Sequence, residues 1–584
     1  MGWWWCAAAL AQAPATAEEA PASPEAAAGP GASVSFTEDL EVRYWRLDER
    51  LPDPSDVAVL DYVEQVNRLV ARADVGRWGI GTQVDQVALF FNRYYLDDVL
   101  VVERELVAPD TFSPLPGQSY ANVEKVLVQY SADDVKLQLG DVYAAFARGG
   151  ALNLNRNVDI DIDTSIQGAR ATGQVGRFDL TGLIGQLNRQ QVYQDNPNAL
   201  NPISGDRRHA VAGVRADGYG FGPANVGAHG VVYKFATEPG LGAGFSALSE
   251  TTPTTVVGGG NVELMGVLGA DWYGGVDVFG FNDAMPAPLP DAADDPGYAA
   301  YLSASAYPGP FVLLAEAKRY YQADRVNALL TPELYEVAIA PTLEYERAIT
   351  EDSAGALNSN DIWGGRIQLD WSAIPATLTP YVAVAVFRDL DTGALHFNDV
   401  PETIAHPMMG VQYTGDHRSI LANIGFRTDE RDGSVQGEAP EEPGLWGDGP
   451  RSDRDHQLHG DVAVDFPVSV LQAKINAAIE AYHWGVNPLQ QTDYIESETS
   501  WTLAYRSDVA LTWFMDYTTN PLVATTGNLQ EQLYGAVELQ VKPAPAFTIK
   551  GFYGAYKAGI RCSGGQCRLL PGFDGARISA VATF

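Results

Sequence analysis

The chain has 584 residues, 58 of them glycine, with 10% aromatic and 19% charged residues and a net charge of −36. That charge excludes nucleic acid, whose phosphates would repel it. Beyond the N-terminal residues no run of about 18 apolar residues occurs, so no transmembrane helix is predicted, and only a closed barrel could cross a bilayer.

Residues 1–10 are apolar, and Ala11-Gln12-Ala13 fits a small-x-small cleavage site, so 1–13 reads as a secretory signal peptide. No Lys or Arg precedes the apolar run, which fits an N-terminal truncation by a misplaced start. Cys6 follows three Trp rather than the small residues of a lipoprotein box. Residues 14–35 are rich in Ala, Pro and Glu and read as a disordered linker. From 36 to 584 a single all-β domain is expected.

Its elements come as hairpins. Residues 40–44 alternate, and 66–73 turns at Gly76-Arg77 into 78–84. The stretch 92–120, with three prolines, is a candidate loop. Then 123–130 turns into 135–139, 164–174 into 178–187, and 208–218 into 226–235. Residues 261–270 turn at 273–275 into 276–281, and the run Gly258-Gly-Gly260 reads as a turn or bend. After 298–306 and 311–321 comes a second candidate loop, 322–360. The pairs 362–371 with 378–387, 404–413 with 419–427, 457–466 with 471–482, 494–505 with 510–517, and 529–541 with 547–556 complete the series.

Two strands show the pattern best. Leu471, Ala473, Ile475, Ala477, Ile479 and Ala481 alternate with Gln472, Lys474, Asn476, Glu480 and Tyr482. Leu533, Gly535, Val537, Leu539 and Val541 alternate with polar Gln532, Glu538, Gln540 and Lys542. Period two is that of a strand with one apolar face. A soluble sandwich alternates too, but its core face carries bulky interlocking residues. Here Ala and Gly are mixed with Leu, Val and Ile, which lipid tolerates. Short turns alternate with long connections. The count is about 24 strands, within 22 to 26, and even, as in most single-chain barrels.

The last residues alternate as well: Ala576, Ile578, Ala580 and Ala582 are apolar, and Phe584 is terminal. This ending resembles the closing strand of Gram-negative outer-membrane β-barrels, where a C-terminal Phe is the address read by the barrel assembly machinery. The segments 140–149 and 314–320 resemble an uncharacterised family of large, porin-like barrels without a plug domain. The resemblance implies a Gram-negative outer-membrane location and contact with membrane lipid and lipopolysaccharide. An even strand number then puts both termini in the periplasm, with short turns there and long loops outside. The function expected is a porin-like channel for hydrophilic solutes, narrowed by loops 92–120 and 322–360. The alternative is an occluded barrel serving as a surface binding or structural protein.

The polar members of the alternating strands are the candidate pore lining: Lys136, Arg366, Asp370, His459, Asp461, Asp465, Lys474, Glu480, Glu538 and Lys542. Cys562 and Cys567 flank Ser-Gly-Gly-Gln, and in an oxidising compartment the pair reads as a disulfide. A metal at the cysteines would need two more ligands, and none lies at regular spacing. Asp159, Asp161 and Asp163 alternate on one strand, where a hard cation could bind, although a solvated acidic loop is the preferred reading. No hydrolase elbow, zinc-protease helix or phosphate-binding loop occurs, so no catalysis and no cofactor is expected. His417 and His456 each follow an Asp, but adjacency is not catalytic geometry.

Overall fold

A computed structural model describes residues 32–50, 57–96, 99–101, 119–157, 162–189, 209–234, 254–282, 296–323, 326, 362–390, 403–430, 454–485, 491–519, 533–557, 559–563, 566–570 and 573–584. The chain is a closed, antiparallel β-barrel of 24 strands. Each long strand pairs with the next in sequence. The last, Phe573–Thr583, pairs back on the first, Ala32–Arg50, with Thr37 opposite Thr583 and Trp45 opposite Gly575. Phe36 and Phe584 exchange backbone hydrogen bonds of 3.1 and 2.8 Å at this seam. Among the described residues, closure removes the two end edges that an open sheet would leave. The first strand begins at Ala32, inside the stretch predicted as linker.

The two faces of the wall differ in chemistry. Along Leu378–Asp389, Val382, Val384 and Val386 are exposed, whereas Tyr381, Ala383, Ala385 and Phe387 are buried. Val384 is 46% exposed and Ala385 only 2%. Nothing covers the convex side of a lone barrel, so the buried set faces inward. Ile184, Val214, Ile367, Ile479 and Ile578 lie exposed on the outer face. The closing strand obeys the same rule, with Ala576, Ile578, Ala580 and Ala582 outward and Arg577 and Ser579 inward.

Short turns and both described ends of the barrel lie together, and the longer connections lie at the opposite end. The turns need residues that accept positive φ. Gly76 and Gly176, at 61° and 65°, open two-residue turns without a Cβ clash. Aromatic pairs sit beside these turns: Trp78 with Tyr130, Phe178 with Phe221, and Phe311 with Trp371.

Several sequence expectations are corrected. The turn predicted at 273–275 lies at Leu268-Gly269, and 273–275 is the interior of Ala270–Asn282. The run Gly258-Gly-Gly260 is no turn but the middle of Thr254–Val267. A Cβ on Gly259 would stand 2.1 Å from an Asp277 carboxylate oxygen and 2.8 Å from His229 Nε2. Glycine there makes room for a buried hydrogen bond of 2.6 Å between those two side chains. His456 lies within Arg454–Val468, while His417 holds a turn at φ 67°. The loop predicted at 92–120 is strand through Leu96 and again from Ser119, with Val99–Val101 paired to 94–96. Most of 92–120 and 322–360, and all of the signal peptide, lie outside the described residues.

Candidate functional site

The wall is interrupted where Val135–Val142 ends. Gly140, in the middle of that strand, takes φ 108°, and a Cβ there would stand 1.9 Å from the Val126 carbonyl oxygen. Only glycine permits this approach. The chain beyond it, 143–157, does not continue up the wall but folds into the barrel.

This segment is short and apolar. Ala144–Phe146 pairs with Leu152–Leu154, and a tight turn at Ala147–Gly149 joins them. Phe146, Ala151, Leu152 and Leu154 are fully buried. They pack against an apolar patch of the inner wall formed by Ile166, Leu183, Leu187, Val211, Val231 and Val257. Burying each such side chain contributes about 1.5–3 kcal/mol relative to exposure. Tyr233 donates its hydroxyl to the Ala151 carbonyl at 2.6 Å, and Arg170 donates to the Tyr143 carbonyl at 2.9 Å.

The segment is tied at its base by buried charge. Lys125 forms an ion pair with Asp163 and lies 3.1 Å from the Tyr143 hydroxyl and 3.3 Å from Ser165 Oγ. Ser165 and Asn188 both donate to Asp141 Oδ1, at 3.0 and 2.6 Å. The Val126 backbone N–H donates to Asp141 Oδ2 at 2.7 Å. Asp163 is therefore a structural partner of Lys125, not part of a solvated acidic loop. Asp159 and Asp161 lie outside the described residues.

At the tip, Ala147 and Arg148 both hold φ 53°, a conformation that side chains rarely adopt. Such strain persists only where surrounding contacts impose it. The Arg148 guanidinium stands 3.5 Å from the centroid of the Tyr273 ring and 3.8 Å from a Glu263 carboxylate oxygen. Beside it, Arg215 donates to both Asp217 carboxylate oxygens, at 2.6 and 2.8 Å, and Tyr301 donates to Glu316 at 3.0 Å. Charged and aromatic groups of the inner wall thus surround the tip of the segment.

Nine of the ten candidate pore-lining residues fall on the inward face by register, Lys542 lying where the pairing breaks at a turn, and they do not form one site. Asp465 and Lys474 are directly opposite across adjacent strands, as are His459 and Glu480. Arg366 donates to Gln368 at 2.7 Å, and Gln368 donates to Asp370 at 2.8 Å, along one strand. Glu480 accepts from Gln457 at 3.2 Å and from the Tyr482 hydroxyl. Asp461 faces Asn423 and Ala478. Glu538 is buried opposite Thr512, and Lys136 faces Thr172. Lys542 lies exposed near a short turn.

Sequence reading missed the buried ion pairs of the first strands: Arg43 with Glu41 and Glu64, and Arg68 with Asp85 at 3.3 Å. The alternation in 40–44 was the available signal. It also missed 143–157, whose residues carry no period that marks an inward fold. Cys562 and Cys567 are directly opposite in a small hairpin, Gly559–Ser563 with Gln566–Leu570.

Among solved structures, the chain is similar to Pseudomonas aeruginosa OccK9 (OpdG), at 14% identity over 83% of this chain and 98% of that one, with a TM-score of 0.35. It is similar to the outer membrane protein opdK from Pseudomonas aeruginosa, at 10% identity over 75% of this chain and 98% of that one, TM-score 0.36. It is also similar to the siderophore receptor PirA from Pseudomonas aeruginosa, at 6% identity over 95% of this chain and 81% of that one, TM-score 0.39. No family description and no curated protein matches the sequence. At these TM-scores the likenesses carry no argument, and the fold rests on the strand pairing itself.

Proposed function

We propose that this chain is an outer-membrane channel for hydrophilic solutes, narrowed by the segment 143–157. One observation carries the reading: a single closed wall has an apolar exterior and an ion-paired, charged interior. Lipid requires the first, because every backbone group must be paired and outward side chains must be apolar. A water-filled lumen suits the second. A wall of 24 strands encloses more space than side chains alone can fill. The short-turn end, with both termini, is assigned to the periplasm, and the closing strand to recognition by the barrel assembly machinery. Outer-membrane lipid and lipopolysaccharide then surround the apolar belt.

The nine inward residues, and Lys542 at the turn end of its strand, are assigned to the pore lining. Loops 92–120 and 322–360 are kept as further narrowing elements. Burial of Ala323 and Val326 in the inner apolar cluster supports the second of these. The wall from Arg454–Val468 through Val509–Thr518 is acidic, with Asp461, Asp465, Glu480, Glu496 and Glu498 facing inward beside Lys474. Cation preference is assigned to it.

The test is conductance of the refolded chain in a planar bilayer, with heat-modifiable gel migration as proof of folding. Stable, cation-selective steps are expected. A folded barrel without conductance would replace the channel with the occluded binding or structural protein. A monodisperse, water-soluble species would overturn membrane insertion.

A further inference from the structure

His406 and His459 are 53 residues apart in sequence, yet their Nε2 atoms stand 2.8 Å apart on the inner wall. The rings meet at 64° with centroids 5.1 Å apart. Both residues are more than nine-tenths buried, at 4% and 1% exposure. Between their strands lies Gly425, directly opposite His459. A Cβ on Gly425 would stand 2.3 Å from His459 Nε2 and 3.1 Å from His406 Nε2. Glycine at 425 thus makes the room that the two imidazoles take up in approaching each other.

We propose that His406 and His459 form a two-imidazole site for one borderline divalent transition-metal ion, of the Cu2+, Ni2+ or Zn2+ class. Imidazole nitrogen suits these ions, and Cu2+ binds such donors most tightly. In the metal-free pair one ring donates from Nε2 and the other accepts. On binding, the donating ring moves its proton to Nδ1, so that both neutral rings offer an Nε2 lone pair. With metal–nitrogen bonds of about 2.0–2.1 Å, a tetrahedral ion places the nitrogens roughly 3.3 Å apart, so the pair opens by about half an ångström. Small rotations of two side chains supply that.

The local charge balance is mixed. Arg427, buried beside the pair, opposes a cation. Glu480, directly across from His459, and Asp461, two residues along the same strand face, offset it. Among the described residues no three His, Cys, Asp or Glu side chains converge to hold an ion. With two imidazoles as the donors among the described residues, affinity on the order of micromolar is expected rather than that of a closed structural site.

The proposal needs only the folded barrel, not an open channel, so it is tested in detergent whether or not the protein conducts. Chelator-stripped, full-length protein is titrated with Cu2+ alone, followed by calorimetry and electron paramagnetic resonance. One equivalent is expected to bind with hyperfine coupling to imidazole nitrogen. His406→Ala and His459→Ala should each weaken binding by at least roughly tenfold, the scale of losses at metal-site residues. Gly425→Ala should weaken it comparably while keeping both imidazoles. His417→Ala and His483→Ala should leave it unchanged. Unchanged binding in a folded His406→Ala/His459→Ala double variant would overturn the proposal. If that variant fails to fold, a native spectrum without nitrogen coupling overturns it alone.

Discussion

The Tyr143 hydroxyl donates to Asp163 Oδ1 at 2.7 Å, joining the first residue of the inward segment to the strand that follows it. Lys125, two strands along the wall, binds the same carboxylate. The two contacts form a clasp at the base of 143–157, while apolar packing holds its far end. The segment is therefore held at both ends, and its position against the inner wall is set by a small number of buried groups.

Breaking the clasp should release the segment. Removing one partner of a buried ion pair costs about 3–5 kcal/mol, because the other charge stays buried. Lys125→Met should accordingly raise single-channel conductance and noise, with the barrel still folded on a gel. Tyr143→Phe removes one hydrogen bond to a charged group, worth about 1.5–3 kcal/mol, and should give a smaller change in the same direction. Unchanged conductance in both variants would show that 143–157 does not control the pore.

The same clasp has a pH signature. Burial, with the Asp163 carboxylate beside it, pushes the Tyr143 phenol well above its ordinary value of 10.0. The unfolded chain loses that proton near pH 10 while the folded one keeps it, so the contribution is full below about pH 10 and is lost above it. Conductance should be flat from neutral pH to about 9 and rise beyond about 10, less so in Tyr143→Phe.

A charge on the outer face separates lipid contact from lumen contact. Ile184 is 63% exposed on the exterior. Ile184→Arg should cost about 2–4 kcal/mol if the site lies near the bilayer midplane. Ala478→Arg places the same charge inward, between Asp461 and Glu498, and should be tolerated. Folding yield into lipid vesicles is the measurement, and equal yields would contradict the assignment of faces.

Gly259→Ala tests the packing that replaced the predicted turn. The new methyl meets the Asp277 carboxylate, the Val276 carbonyl and His229. Overpacking of this kind costs about 1–3 kcal/mol. A lower urea midpoint is expected for the variant, whereas Gly258→Ala, with open space at its Cβ, should change little.

The cysteine pair gives a chemical test. Cys562 and Cys567 face each other across one hairpin register, and directly opposite residues fall within the Cα separation a disulfide needs. In protein isolated from an oxidising compartment, both thiols should resist alkylation until a reductant is added. Full alkylation without reductant would remove the assignment.

The alternation of side chains by itself determined that the chain is built of strands, which face of each is apolar, and where most turns fall, whereas closure into a barrel was decided by the pairing of the last strand with the first. Strand period is local: residues 471–485 reveal their two faces without reference to any other part of the chain. The closing strand was legible for the same reason. Which inward residues meet was decided only by closure and register. Lys125 and Asp163 are 38 residues apart, and His406 and His459 are 53 apart. Nothing in either segment specifies the other. The inward fold of 143–157 was likewise invisible, because Phe146, Leu152 and Leu154 acquire a place only when Leu183, Val211, Val231 and Val257 assemble an apolar patch inside the wall. Hydrophobic burial acts between surfaces, and here the second surface exists only after the sheet has closed.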